Sequence, residues 1–239
     1  ERERRREQQQ ELTRLVDAGR MQLSLGVDRP DVELHCVFVG ARVHRRIASP
    51  RLCSYPSRVH RRTLLDLLDA HRPVDAREDE ALSSTVNFVR THRDCFERTS
   101  VEGHVTGSAW VVSGDGTAVV LLHHGKLGRW LQPGGHADGD PDVVRVALRE
   151  AREETALQSL RLGGRAVFDV DVHVIPSRGA EAAHLHYDVR FLFFADRAED
   201  PAPSDESHDA LWLALDDARR LAPEESILRM IRKTRGEHE

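Results

Sequence analysis

The chain has 239 residues, 31% of them charged and 39% hydrophobic, with a formal net charge of −5 at pH 7. This suits one ordinary domain with an appendage, or two small ones, and gives no basic footprint for nucleic acid. No apolar run approaches a membrane span and no secretory apolar segment opens the chain. The cysteines Cys36, Cys53 and Cys95 stand too far apart for metal-ligand or redox spacing, so a reducing, cytoplasmic setting is the expectation.

In chain order, residues 1–60 read as an N-terminal extension whose order the pattern leaves open. It holds a polar start, apolar residues at helical spacing (Leu12, Leu15, Val16), a β-branched run over 32–43 and an Arg-, Ser- and Pro-rich linker. Residues 61–98 read as a helical extension. TLLDLLDAH (63–71) is a short amphipathic helix with Thr63 as its cap, and Asp75 to His92 a second, with Leu82, Val86 and Val89 on one side. From 99 to 239 the pattern is a domain of its own. HVTGSAWVVS and TAVVLLHH flank a Gly-Asp-Gly turn at 114–116 and predict a hairpin. Strands are expected over 165–175 and 184–196, a strand leading into a helix over 209–221, and a last helix from Glu224 to about Arg232. Strands, one central helix, strands and a helix predict an α/β sandwich around a mixed sheet rather than a run of βαβ units.

The central helix carries the chemistry. Asp140, Pro141 and Asp142 mark its start, since Asp caps, Pro suits the first turn and acids suit the dipole. At roughly 100° per residue, Val144, Ala147, Leu148, Ala151 and Thr155 share one stripe. Glu150, Glu153 and Glu154 fall in an arc beside that stripe, at the rim of the packing face. REAREE by itself is an ordinary solvated face. The preceding turn, LQPGGHADGDP, shifts the reading: Gly134 and Gly135 let backbone approach a ligand, and Gly134 offers a carbonyl oxygen. Three acids that repel one another on one turn become a binding site when a hard cation such as Mg²⁺ is supplied.

These residues resemble the Nudix box of the Nudix hydrolases: Gly, five residues, Glu, seven residues, then Arg-Glu-aliphatic-x-Glu-Glu-x-Gly-aliphatic. Gly135, Arg149, Glu150, Glu153, Glu154 and Leu157 fall in place; Pro141, Ala151 and Ala156 depart from the pattern. Ala156 matters most, because glycine there would take a left-handed backbone that Ala adopts only at a cost of about 1 kcal/mol or more. The resemblance covers roughly residues 100 to 232 and implies a Nudix-like α/β/α sandwich whose metal-binding helix is 141–156.

The implied activity is cleavage of a phosphoanhydride in a nucleoside diphosphate linked to another moiety X, with Mg²⁺ or Mn²⁺ as cofactor. Glu153 and Glu154 would be principal ligands, and Glu150 a further ligand or the base that orients water. Arg149 would hold an acid's rotamer, and Gly135 and His136 would meet the small nucleotide-type substrate. A general base can also come from a later loop, where Asp205 and Glu206 stand. The proline array of NADH pyrophosphatases is absent, and Val172 occupies the place of the ADP-ribose hydrolases' proline. The alternative is a non-catalytic Nudix-like domain that senses a nucleotide or holds a partner, although such a domain would be expected to lose these acids. A related isomerase would want a cysteine in the site, and Cys95 precedes the first sheet strand. His184 and His186 share a strand face as an H-x-H pair with no third ligand identifiable, so surface histidines are the plainest reading.

Overall fold

The computed structural model describes residues 59–177, 179 and 182–237; the expectations for residues 1–58 lie outside them. Helices α1 (Val59–Ala70) and α2 (Ala76–Thr91) come first. Strands β1 (Gly103–Ser113), β2 (Ala118–His124), β3 (Arg129–Leu131) and β4 (Gly134–His136) lead into helix α3 (Val143–Thr155). Then follow β5 (Arg161–Leu162), β6 (Asp169–Ile175), β7 (His184–Ala195), β8 (Ser207–Ala214), α4 (Leu215–Leu221) and α5 (Glu225–Arg235).

Among the described residues one mixed sheet gathers eight strands in the order β3-β2-β1-β7-β5, with β4 also on β1, β6 on β7 and β8 on β2. The β1–β7 pairing is parallel and runs the length of β1, from Gly103↔Leu185 to Ser113↔Ala195; the other pairings are antiparallel. Asp115 closes the β1–β2 turn by accepting from Ser113 Oγ and from Thr117.

Helices cover both faces. On one, α1, α2 and α3 bury Leu64, Phe88, Val144 and Ala147 with Val105, Val170 and Tyr187 of the sheet. Phe88 stacks on Tyr187 with ring centroids 4.0 Å apart. On the other, α4 and α5 bury Ala218, Ile227 and Met230 against Trp110, Val112 and Leu121. This is the expected α/β/α sandwich.

Boundaries shift at named residues. The acid-bearing helix spans Val143–Thr155, not 141–156. Asp142, not Asp140, is its cap, accepting from Arg145 N at 3.2 Å. Asp140 is occupied instead by the Arg145 guanidinium at 2.6 and 2.8 Å. The strand expected over 165–175 begins at Asp169, and the first described helix begins at Val59 rather than with Thr63 as its cap. The short strands β3, β4 and β5 have too few residues to show a period.

Candidate active site

The acids of α3 meet strand β4. The helix packs on β1 where Gly107 lacks a side chain; a Cβ there would lie 2.9 Å from the Val143 carbonyl and 3.1 Å from Val146 Cγ1. Gly107 is paired with Gly135, so Gly135 faces the helix too. The Glu150 carboxylate fills that space, 2.5–2.7 Å from where a Gly135 Cβ would stand. Gly134 turns the other way, onto Ser108 of β1, and its N–H donates to Glu154 Oε2 at 2.8 Å. Each of the two glycines therefore has a steric reason. Together they bring backbone against two of the three glutamates.

Arg149 lies among these groups. Its guanidinium is 2.8 Å from Glu150 Oε1 and 3.4 Å from Glu153 Oε2, and donates to the His136 carbonyl at 3.1 Å. It pairs with Glu150 and Glu153, while Glu154 is held by the Gly134 N–H instead. Glu153 is open to solvent, whereas the Glu150 side chain is 15% exposed.

Burial sets the electrostatics. It raises the Glu154 carboxyl to about 7; the Gly134 N–H opposes this, while the charges of Glu150, Glu206 and Glu153 add to it. Glu150 is raised as well, first by burial and then by Glu153 and Asp138 against the pull of Arg149. Glu206 thus belongs to the field of the site, from the loop before β8. The helix ends on Ala156, which adopts the left-handed conformation at φ 58° despite its side chain.

Other residues take different places. The His136 ring lies across the sheet from α3, because His136 pairs with Thr106 and alternates with Gly135. Cys95 is fully buried and its thiol is pushed up to about 12 by that burial, which leaves no nucleophile there. Asp188 of β7 had no sequence signal. It is buried and accepts from Thr106, Ser108, Gln132 and Arg190. No described helix is long and apolar enough to cross a membrane.

The chain belongs to the Nudix family: residues 103–232, more than half of the chain, match the NUDIX domain. A relative from Mycobacterium tuberculosis, "Putative 8-oxo-dGTP diphosphatase 3" from strain H37Rv and again from strain CDC 1551, is 36% identical over 107 residues. That stretch covers 42% of this chain and 46% of the relative, so the chain spans about half the length of the curated relatives it matches. The solved binary complex of a C. elegans Ap4A hydrolase is similar at 20% identity and a TM-score of 0.46, over 55% of this chain and 95% of that one. A MutT NUDIX hydrolase from Burkholderia pseudomallei is similar at 21% identity and a TM-score of 0.40, over 54% and 96%.

Proposed function

We propose that this chain is a metal-dependent hydrolase of a phosphoanhydride bond in a nucleoside diphosphate linked to a further moiety X. The observation that carries the reading is Glu154: a carboxylate withdrawn from solvent among other acids, tied to the Gly134 N–H and raised to about 7. The donor set is carboxylate oxygen on a site with too few cations, which suits Mg²⁺ or Mn²⁺. The glycine beneath Glu150, whose Cβ would fill the cradle, fits the same purpose.

In this reading Glu153 and Glu154 hold the ion, with the Gly134 carbonyl as a further oxygen. When bound, the ion offsets phosphate charge and lowers the pKa of the attacking water. Arg149, fixed by the His136 carbonyl, holds the Glu150 and Glu153 carboxylates in place. Glu150, already raised, is suited to ligate or to take the water's proton near neutral pH, and Glu206 is the base available from the later loop. Gly135 makes room for the Glu150 carboxylate. His136 serves the site through its carbonyl. The catalytic domain is taken as 99–239, with 61–98 a helical extension.

The relative's name points to one substrate class. A nucleoside triphosphate is a nucleoside diphosphate whose X is phosphate, so oxidised and normal deoxynucleoside triphosphates head the panel, followed by dinucleoside polyphosphates and nucleotide sugars. Formation of nucleotide products is followed by ion-exchange chromatography with Mg²⁺ and with Mn²⁺, for the natural chain and Glu154→Gln. Turnover of at least one compound, reduced by roughly 10²–10³-fold in the variant, is expected for loss of a main electrostatic stabiliser. No turnover of any compound, or equal turnover by the variant, would sink the reading in favour of a non-catalytic domain.

A further inference from the structure

On the sheet face away from α3, histidines converge from four strands. His104 (β1) stands directly across from His186 (β7), and His186 from His173 (β6). His184 lies two residues earlier on β7, and His136 (β4) pairs with Thr106, two residues after His104. The His104 ring centroid is 4.8 Å from those of His136 and His186 and 4.9 Å from that of His184. His104 Nε2 and His186 Nε2 are 3.1 Å apart.

Such a cluster is costly without an occupant. A neutral imidazole has one N–H and one lone pair, so the His104–His186 contact satisfies one nitrogen of each ring and leaves the other to find a partner. His104 is 1% exposed, and its Nδ1 has no hydrogen-bond partner among the described residues. His184 Nδ1 donates to the Ala182 carbonyl at 3.0 Å. This fixes the tautomer that leaves Nε2 with its lone pair, the arrangement that orients metal-bound histidine.

We infer that His104, His184 and His186 form a binding site for a single Zn²⁺ ion, separate from the carboxylates of α3. The ligand atoms of the three rings lie within 4.8 Å of one another. A tetrahedral zinc with nitrogen ligands at about 2.0–2.1 Å sets those nitrogens about 3.3 Å apart. The His104–His186 pair already has that spacing, and small χ rotations bring in the third ring. Imidazole donors select zinc over magnesium or manganese, while the α3 carboxylates have the opposite preference. Bound by these histidines, zinc ties β1 to β7 beside β4, the strand whose backbone orients Glu154 and Arg149 on the other face.

The site is tested on the untagged full chain, stripped with a chelator and titrated with Zn²⁺ against a chromophoric competitor in millimolar Mg²⁺. One zinc equivalent is expected, retained by Glu154→Gln and by the exposed control His208→Gln. His186→Gln, checked for folding by circular dichroism, is expected to bind at least about 100-fold more weakly. No zinc bound by the natural chain, unchanged affinity in His186→Gln, or loss in Glu154→Gln overturns the inference. Should His186→Gln fail to fold, Co²⁺ absorption of the natural chain decides: intense tetrahedral bands support the site, and pale octahedral ones reject it. These measurements read metal rather than turnover, so they stand apart from the hydrolase reading.

Discussion

Glu78 and Glu154 are both glutamates withdrawn from solvent, and burial pushes each carboxyl upward. They end at opposite values because their neighbours differ. Glu78 of α2 accepts from His71 at 2.7 Å and from the Val74 N–H, and its carboxylate meets Lys233 of α5; these outweigh burial and hold it at about 2. The same network runs on through Asp169 and Asp171 of β6 and Asp188 of β7, matched by Arg190, Arg229 and Lys233. On α3 the Arg149 guanidinium meets Glu150 and Glu153 but not Glu154, and Glu154, with only the Gly134 N–H to oppose burial, rises to about 7. The fold neutralises buried acids thoroughly in one place and leaves them short of cations in another; on the function proposed above, a metal ion would complete the second.

The comparison breaks most visibly at Arg190. It is 3% exposed and contacts Asp188, Asp169 and Asp171 at 2.7, 3.1 and 3.3 Å. Arg190→Met leaves those carboxylates uncompensated, and urea unfolding should show a loss of about 3–5 kcal/mol. A loss under 1 kcal/mol would mean that Arg229 and Lys233 suffice.

Acid is the next probe. Glu78 has a folded pKa of about 2 against an ordinary 4.5. Its contribution is therefore full above pH 4.5 and is lost as pH falls towards 2. Urea midpoints measured from pH 6 to pH 2 should fall for the natural chain, with a shallower decline in Glu78→Gln. Identical slopes would remove Glu78 from the account.

Glu154 has the opposite sign. Its folded pKa lies above the ordinary 4.5, at about 7, so the metal-free fold is penalised as pH rises through that window. In chelator at pH 8, Glu154→Gln should raise the free energy of unfolding, read from urea denaturation, by on the order of 1–3 kcal/mol. Mg²⁺ should stabilise the natural chain and not the variant. A variant that is less stable in chelator would contradict the electrostatic reading of α3.

How much of this was legible in the sequence follows from the same contrast. The α3 acids are local: Glu150, Glu153 and Glu154 sit on one helix turn, so spacing placed them together, whereas Gly134 and Gly135, read as part of a turn, form strand β4. The hairpin and the long strands were legible because their apolar runs end at turn residues. The ion network was not, since Glu78 and Lys233 meet across 155 positions of chain. Asp169 appeared in the sequence only as a polar residue in a half-buried strand. The third histidine was hidden for the same reason: His104 reaches His186 across 82 positions, through a parallel pairing that no local pattern encodes. Lost also were the first residues of α3, where Asp140, Pro141 and Asp142 all suit a helix start and only the Arg145 side chain decides among them.

The smallest effect concerns the end of the acid helix. Ala156 closes α3 at φ 58°, its N–H donating to the Arg152 carbonyl at 3.0 Å. Its neighbours hold it there: Thr155 is buried and Leu157 is 1% exposed in the core. The left-handed turn is thus imposed by packing on both sides and carried by a residue whose Cβ opposes it. Ala156→Gly removes that opposition, but it also loosens the unfolded chain. The net gain should be about 0.5–1 kcal/mol of stability, read as a higher urea midpoint. Catalytic metal dependence should be unchanged, since Ala156 contributes no oxygen side chain to the acid cluster. A destabilised variant would show that Ala156 contributes packing that outweighs its strain.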